Sequence, residues 1–366
     1  MPVVLFYTAP ANRSNMQMKM ERDTVNRRRC TRLAQAVLCG TVTLAVAGLL
    51  LIMAGGCAAR APAVAEGISG GKRYVEGALA YHEGDRVRAI AALRSALEEN
   101  PNLIMARFLL GTIYREKGDY EAAAAEYRRV VELDPYSYTN HYNLGLMYHL
   151  LNRLQEAAVS YLQALKLNPQ DPKSNMNLGL VYTALGNAEL GLPYVRRAVE
   201  LAPTSAEAHA NLAVVYDSLR DYRSAETAYR RAIELNPGRV ETAVNLAGCL
   251  LAQKRYAEAV SVYEQLLREN DGSLLRERYG HALLYAGRVE DAIRQFETAL
   301  KLDARNFHAC NGLGEAMLAQ YRQGFMLDET KRNEAIRWWR KSLRINPHQP
   351  RIEALLIEYD RNTLFP

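Results

Sequence analysis

The chain has 366 residues, 49% of them hydrophobic and 23% charged, with 23 Gly and 13 Pro. That composition excludes a disordered, collagen-like or low-complexity chain. The net charge of +6 is not a nucleic-acid signature: residues 1–56 hold seven basic and two acidic groups, leaving 39 basic against 38 acidic in the rest. A body that binds phosphate carries its own basic stripe, so no nucleic-acid partner is expected.

From Leu33 to Ala59 no residue is charged, and Arg27, Arg28, Arg29 and Arg32 stand just before that stretch. A basic start, an apolar core over Thr41 to Met53 and small residues at its end have the outline of a secretory signal. Met16, Met18 and Met20 are alternative starts, since such a basic region is usually shorter than 32 residues. The run Ala54-Gly55-Gly56-Cys57 resembles the lipobox of bacterial lipoproteins, with Ala54 where a larger aliphatic residue is usual. The resemblance implies that residues 1–56 are removed and that Cys57 is acylated, giving a lipid anchor in the bacterial cell envelope. Ala58 is not the aspartate associated with inner-membrane retention, so the outer membrane, facing the periplasm, is the expected site. The alternative is an uncleaved inner-membrane span, because Leu33 to Ala54 is long enough to cross about 30 Å of hydrocarbon.

Residues 57–69 are small and unpatterned and read as a flexible tether. Beyond them prolines recur every 34 residues, at Pro101, Pro135, Pro169, Pro203 and Pro237, each closing a phrase such as Val-Val-Glu-Leu-Asp-Pro. With the proline counted as position 32, position 8 is Gly77, Gly111, Gly145, Gly179, Ala213 and Ala247. Position 20 is Ala89, Ala123, Ala157, Gly191, Ala225 and Ala259, and position 24 is bulky at Tyr127, Tyr161, Val195, Tyr229 and Tyr263. Small residues at 8 and 20 suit two helices that cross closely.

The period and these positions resemble the tetratricopeptide repeat. The resemblance implies an all-α chain: a right-handed superhelix, or α-solenoid, of about eight helix–turn–helix repeats over residues 70–347. Residues 348–366 then form a capping helix over the last apolar face. The seventh repeat has Ala304 in place of proline, and the sixth has Asp271. The eighth carries nine extra residues between Gly314 and Ala335, around Phe325, Met326 and Leu327.

In this family the first helix of each repeat lines the concave face. Position 6 there is asparagine four times, at Asn143, Asn177, Asn211 and Asn245. A row of amides offers donors and acceptors to any peptide backbone, and it resembles the asparagine ladder of O-linked N-acetylglucosamine transferase. The alternative is that these amides bond neighbouring helices. Tyr142, Leu146, Met176, Leu180 and Val214 flank the row and complete the expected peptide-binding groove. The Lys/Asn clamp spacing of chaperone-binding members is absent.

No catalytic motif is present: the sequence has no His-Glu-x-x-His, Gly-x-Ser-x-Gly or Gly-x-Gly-x-x-Gly, and Gly70-Gly71-Lys72 lacks the rest of a phosphate loop. Cys249 and Cys310 read as buried thiols, and the scattered histidines, including His141 and His209 at position 4, as separate side chains. No enzyme activity, cofactor or metal is expected. The reading is a membrane-tethered scaffold or adaptor for proteins of the cell envelope, in assembly or secretion. Pilotin-type lipoproteins share this combination of lipobox and repeat array. The alternative is a non-catalytic regulatory arm for a partner enzyme such as a glycosyltransferase or peptidase.

Overall fold

The computed structural model describes residues 61–360. The signal, Cys57 and residues 361–366 lie outside them. The described residues hold 17 helices, so the all-α class expected from the repeat is observed. They divide into two compact units, with the boundary between Ile113 and Tyr114.

In the first unit α1 (Ala61–His82) and α2 (Arg86–Glu99) form an antiparallel hairpin, followed by the start of α3 (Ile104–Glu116). The helix begins at Ala61, so residues 61–69, read as tether, are helical. A Cβ on Gly77 would lie 2.7 Å from Leu93 Cγ, which fixes the closeness of the α1–α2 crossing.

The second unit begins with the end of α3 and α4 (Tyr120–Leu133) and continues as six hairpins. These are α5 (Tyr138–Leu150) with α6 (Leu154–Leu167), α7 (Pro172–Ala184) with α8 (Ala188–Leu201), and α9 (Ala206–Ser218) with α10 (Tyr222–Leu235). They are followed by α11 (Val240–Ala252) with α12 (Tyr256–Leu266), α13 (Ser273–Tyr285) with α14 (Val289–Leu302), and α15 (Phe307–Gln323) with α16 (Glu329–Ile345). The chain ends on α17 (Pro350–Tyr359). Each hairpin packs on the next, and one apolar core runs from Ala213 through Leu250, Tyr263 and Phe296 to Leu313.

Local chemistry sets the helix ends. Asp119, Asp171, Ser205, Asp221 and Asn306 accept the free amide hydrogens of the turns they precede. Asp134, Asn168 and Asn236 close second helices just before a proline, which disfavours helical geometry in the residue ahead of it. The turn inside each hairpin needs one left-handed residue. Gly186 and Gly287 supply it without steric cost, whereas Asn152, Arg220 and Lys254 adopt it despite a side chain.

Crossing distance follows from the paired small and large positions. A Cβ on Gly145 would meet the Tyr161 ring at 2.9 Å, on Gly280 the Phe296 ring at 2.6 Å, and on Gly314 the Trp339 indole at 2.2 Å. In α7–α8 the bulky residue is only Val195, and the helices approach further. A Cβ on Gly191 would lie 2.4 Å from the Gly179 carbonyl oxygen, so position 20 has no room even for alanine.

Both sequence irregularities have structural counterparts. Where Asp271 replaces proline, α12 has 11 residues and ends at Leu266, against 14 in α10. The nine inserted residues lengthen the last hairpin: α15 and α16 have 17 residues each against 13 and 14 in α13 and α14. The rest widen the turn, whose Phe325 and Leu327 are 84% and 82% exposed. Trp339 is fully buried, and α17 covers it through Ile352, Leu355, Leu356 and Tyr359. Cys249 and Cys310 are free and buried.

Two glycine substitutions separate crowding from propensity. Gly191→Ala must push α7 and α8 apart and is expected to cost about 1–3 kcal/mol. Gly248→Ala, in α11 with nothing within 4 Å of the new Cβ, should be neutral or gain about 0.5–1 kcal/mol from helix propensity. Urea midpoints of the two variants against wild type check both expectations.

Candidate functional site

The four asparagines sit at equivalent places on α5, α7, α9 and α11, yet their amides are used differently. Asn177 Nδ2 donates to the Tyr161 hydroxyl at 3.3 Å, tying α7 to the second helix of the preceding hairpin. It also lies against the Tyr142 hydroxyl, and the Tyr142 and Tyr161 rings meet at 5.9 Å. Burial pushes both phenols up from their ordinary value, so they act as neutral groups. The Nδ2 end of this amide is thus engaged inside the protein.

Asn143, Asn211 and Asn245 have no side-chain hydrogen bond among the described residues. The reason is plain for Asn211. The preceding position 24 is Val195, which has no hydroxyl to offer. Asn143 is buried, whereas Asn211 and Asn245 are half-buried. Of the flanking residues, Tyr142, Leu146, Leu180 and Val214 are half-buried. Met176 is 8% exposed and packs with Ala198 and Ala208, inside the wall rather than on its surface.

The link from position 24 to the next position 6 was not legible in a repeat-by-repeat reading. It recurs at the end of the array, where a Cβ on Gly312 would lie 2.4 Å from the Phe296 ring. A ring with no hydroxyl is met there by a residue with no side chain.

Position 4 also has a role that sequence reading missed. His141 Nε2 lies 2.9 Å from the Pro135 carbonyl oxygen, and His209 Nε2 3.0 Å from that of Pro203. Asn175 Nδ2 donates to the Pro169 carbonyl at 3.1 Å, and Arg107 Nε to that of Pro101 at 2.8 Å. These side chains satisfy the carbonyl exposed where the proline ends the helix. The histidines therefore carry a proton on Nε2 and brace turns. Among the described residues no three His, Cys, Asp or Glu side chains come together as a metal site, and no helix is long and apolar enough to cross a membrane.

Helical hairpins of 34-residue period, closed by proline and crossing at small residues, define a repeat solenoid. Tetratricopeptide repeat models match residues 74–138, 108–172, 210–273 and 279–323, and a second tetratricopeptide model matches residues 172–238. The chain belongs to the tetratricopeptide repeat family.

Among solved structures it is similar to a tetratricopeptide repeat protein from Parabacteroides merdae, at 20% identity and a TM-score of 0.57 over 68% of this chain and 99% of that one. It is also similar to the Cut9–Hcn1 hetero-tetramer of the APC/C, at 15% identity and a TM-score of 0.53 over 74% of this chain and 52% of the other. Pseudomonas aeruginosa pilF matches at 21% identity and a TM-score of 0.48 over 59% of this chain and 96% of that one. These likenesses concern the fold. No curated protein matches the chain.

Asn177→Ala should lower stability by about 0.5–1.5 kcal/mol, because a buried phenol loses its partner. Asn211→Ala should leave the unfolding midpoint nearly unchanged. A double-mutant cycle of Asn177→Ala with Tyr161→Phe should show coupling, read from urea denaturation; additive effects would mean the bond contributes nothing.

Proposed function

We propose that the protein is a non-catalytic scaffold, lipid-anchored through Cys57 in the bacterial cell envelope, that holds extended segments of partner proteins along its first helices. The observation that carries the reading is the pair of amides at Asn211 and Asn245. They are half-buried, equivalent in consecutive repeats, and have no side-chain hydrogen bond among the described residues. A polar group held in a partly desolvated setting without a hydrogen bond gains from a ligand that supplies one. An extended backbone carries both the N–H and the C=O that an amide needs. Leu146, Leu180 and Val214 offer apolar surface beside the amides, as peptide-binding grooves do.

The anchor reading rests on the sequence around Cys57, outside the described residues. Outer-membrane placement facing the periplasm, and a role in envelope assembly or secretion, are proposed on the same basis.

Two measurements test the proposal. Intact mass of the detergent-extracted protein should show loss of residues 1–56 and added acyl chains on Cys57; a mass that retains residues 33–56 would favour a membrane span. In pull-downs from envelope extracts, the Asn211→Ala/Asn245→Ala variant should recover its partners at markedly lower yield than wild type, with unchanged helical circular dichroism. Equal recovery would place binding elsewhere, with the exposed turn at Phe325 and Leu327 next in line.

A further inference from the structure

The last hairpin departs from the one before it at its turn. Both α13 and α15 begin seven residues before their crossing glycines, Gly280 and Gly314, and both α14 and α16 end ten residues after Ala292 and Ala335. The extra length, four residues in α15 and three in α16, therefore lies entirely at the turn end. At a rise of about 1.5 Å per residue it carries this turn about 5 Å further out than its neighbour.

At the tip Phe325, Met326 and Leu327 are all exposed. The reversal is held by its own backbone: Phe325 N–H donates to the Arg322 carbonyl at 3.2 Å, Met326 N–H to that of Tyr321 at 2.9 Å, and Leu327 N–H to that of Gly324 at 3.2 Å. Phe325 and Met326 have φ of 55° and 60°, a region that disfavours a side chain. Other hairpin turns place Gly186 or Gly287 there. Three consecutive apolar side chains are thus shown to water at a conformational cost.

Behind the tip the charge is one-sided. From Arg322 to Arg344 stand seven basic and three acidic residues. Arg337, Arg340 and Arg344 follow one another at helical spacing on the exposed side of α16. Arg337 lies 3.8 Å from Glu334, Arg340 pairs with Asp360, and Arg344 has no ion pair among the described residues. The acids nearest the tip are engaged locally. Asp328 accepts from the Thr330 N–H at 3.0 Å, and Glu329 meets Arg332 at 2.6 Å.

We propose that the turn of the last hairpin inserts into an anionic lipid bilayer, with Phe325, Met326 and Leu327 at the boundary of headgroups and acyl chains and the arginine side of α16 turned to the lipid phosphates. The two features select lipid together. A projecting tip needs a pocket cut to its shape in a protein partner, whereas fluid hydrocarbon takes it without one. An advance of about 5 Å matches the depth of about 5–10 Å to which interfacial apolar groups are buried. A nucleic acid would answer the arginines and leave the apolar side chains in water. Basic residues beside an apolar insertion are what an anionic leaflet attracts. This contact stands apart from the amide groove and from acylation of Cys57.

The test reads the position of the tip in the full chain. Met326→Cys is labelled with an environment-sensitive nitrobenzoxadiazole dye. Wild type carried through the same labelling gives the background from the native cysteines, of which Cys249 and Cys310 are buried. Arg305→Cys, exposed just before α15 and at the opposite end from the tip, is the control. Vesicles are phosphatidylcholine alone or with about one-third phosphatidylglycerol, each carrying a doxyl-labelled quencher lipid. The label at 326 should shift to the blue and be quenched, about fivefold more in the anionic vesicles at low salt, with the difference shrinking as salt rises. The label at 305 should stay in water. Phe325→Ser/Leu327→Ser should cut insertion about tenfold. Arg337→Gln/Arg344→Gln should remove most of the preference for anionic vesicles, and both variants should keep the helical circular dichroism. A label at 326 left unquenched overturns the proposal, even if added envelope protein shifts it to the blue, which would make the tip a protein contact. Equal quenching at 326 and 305, equal quenching in the two kinds of vesicle, or indifference to both double variants overturns it as well.

Discussion

Where the two helices of a hairpin cross, a residue of almost no size faces a large one. Gly145 lies under Tyr161, Gly280 under Phe296 and Gly314 under Trp339, each without room for a methyl group. The ring fills the space between helices, and the missing side chain lets the backbones approach until it does. When the large residue shrinks, the small ones compensate: Val195 in place of a ring is accompanied by Gly191 in place of alanine. Contact at the crossing is thus kept by a balance of volumes, with the helices closer where the ring is lost, rather than by a fixed pair of residues. That balance also explains why single methyl additions at these sites are costly, while Gly248, outside the crossing, has open space.

One of these rings also reaches the first-helix face. Tyr161, at position 24, extends past its own hairpin, and its hydroxyl meets Asn177 on the next first helix. A valine at that place stops short, and Asn211 keeps its amide. Tyr127 and Tyr229 hold the same position before Asn143 and Asn245, yet neither asparagine has a side-chain hydrogen bond among the described residues, so a hydroxyl at position 24 permits the brace without ensuring it. Four residues that look identical in sequence divide into one brace and three without a side-chain hydrogen bond among the described residues.

The fold was legible because its signal is periodic. Prolines at 34-residue intervals, small residues at 8 and 20, and the Asp271 and Phe325 irregularities all map onto helix ends, crossings and a lengthened hairpin. The candidate face was legible only in part. Met176 shares its repeat position with Tyr142, yet it is buried and packs with Ala198 and Ala208. His141 and His209 were seen as a repeated position, but their bonds to proline carbonyls six residues upstream depend on the turn geometry that the proline itself creates. Periodicity reveals what all repeats share. The differences between one amide and the next arise between neighbouring repeats, where a pattern aligned to a single unit has nothing to say.

Bracing of the turns by position 4 carries a metric consequence. With each proline carbonyl held by Arg107, His141, Asn175 or His209, the step from one hairpin to the next is built to one pattern. Packed helices sit about 10 Å apart, and an extended chain advances about 3.3 Å per residue. A strand laid across the first helices would therefore be sampled about once every three residues. On the proposed reading such a face would work as a ruler: it would measure the spacing of features along its guest, and a guest with one residue added between two of them would fall out of step at the next mark.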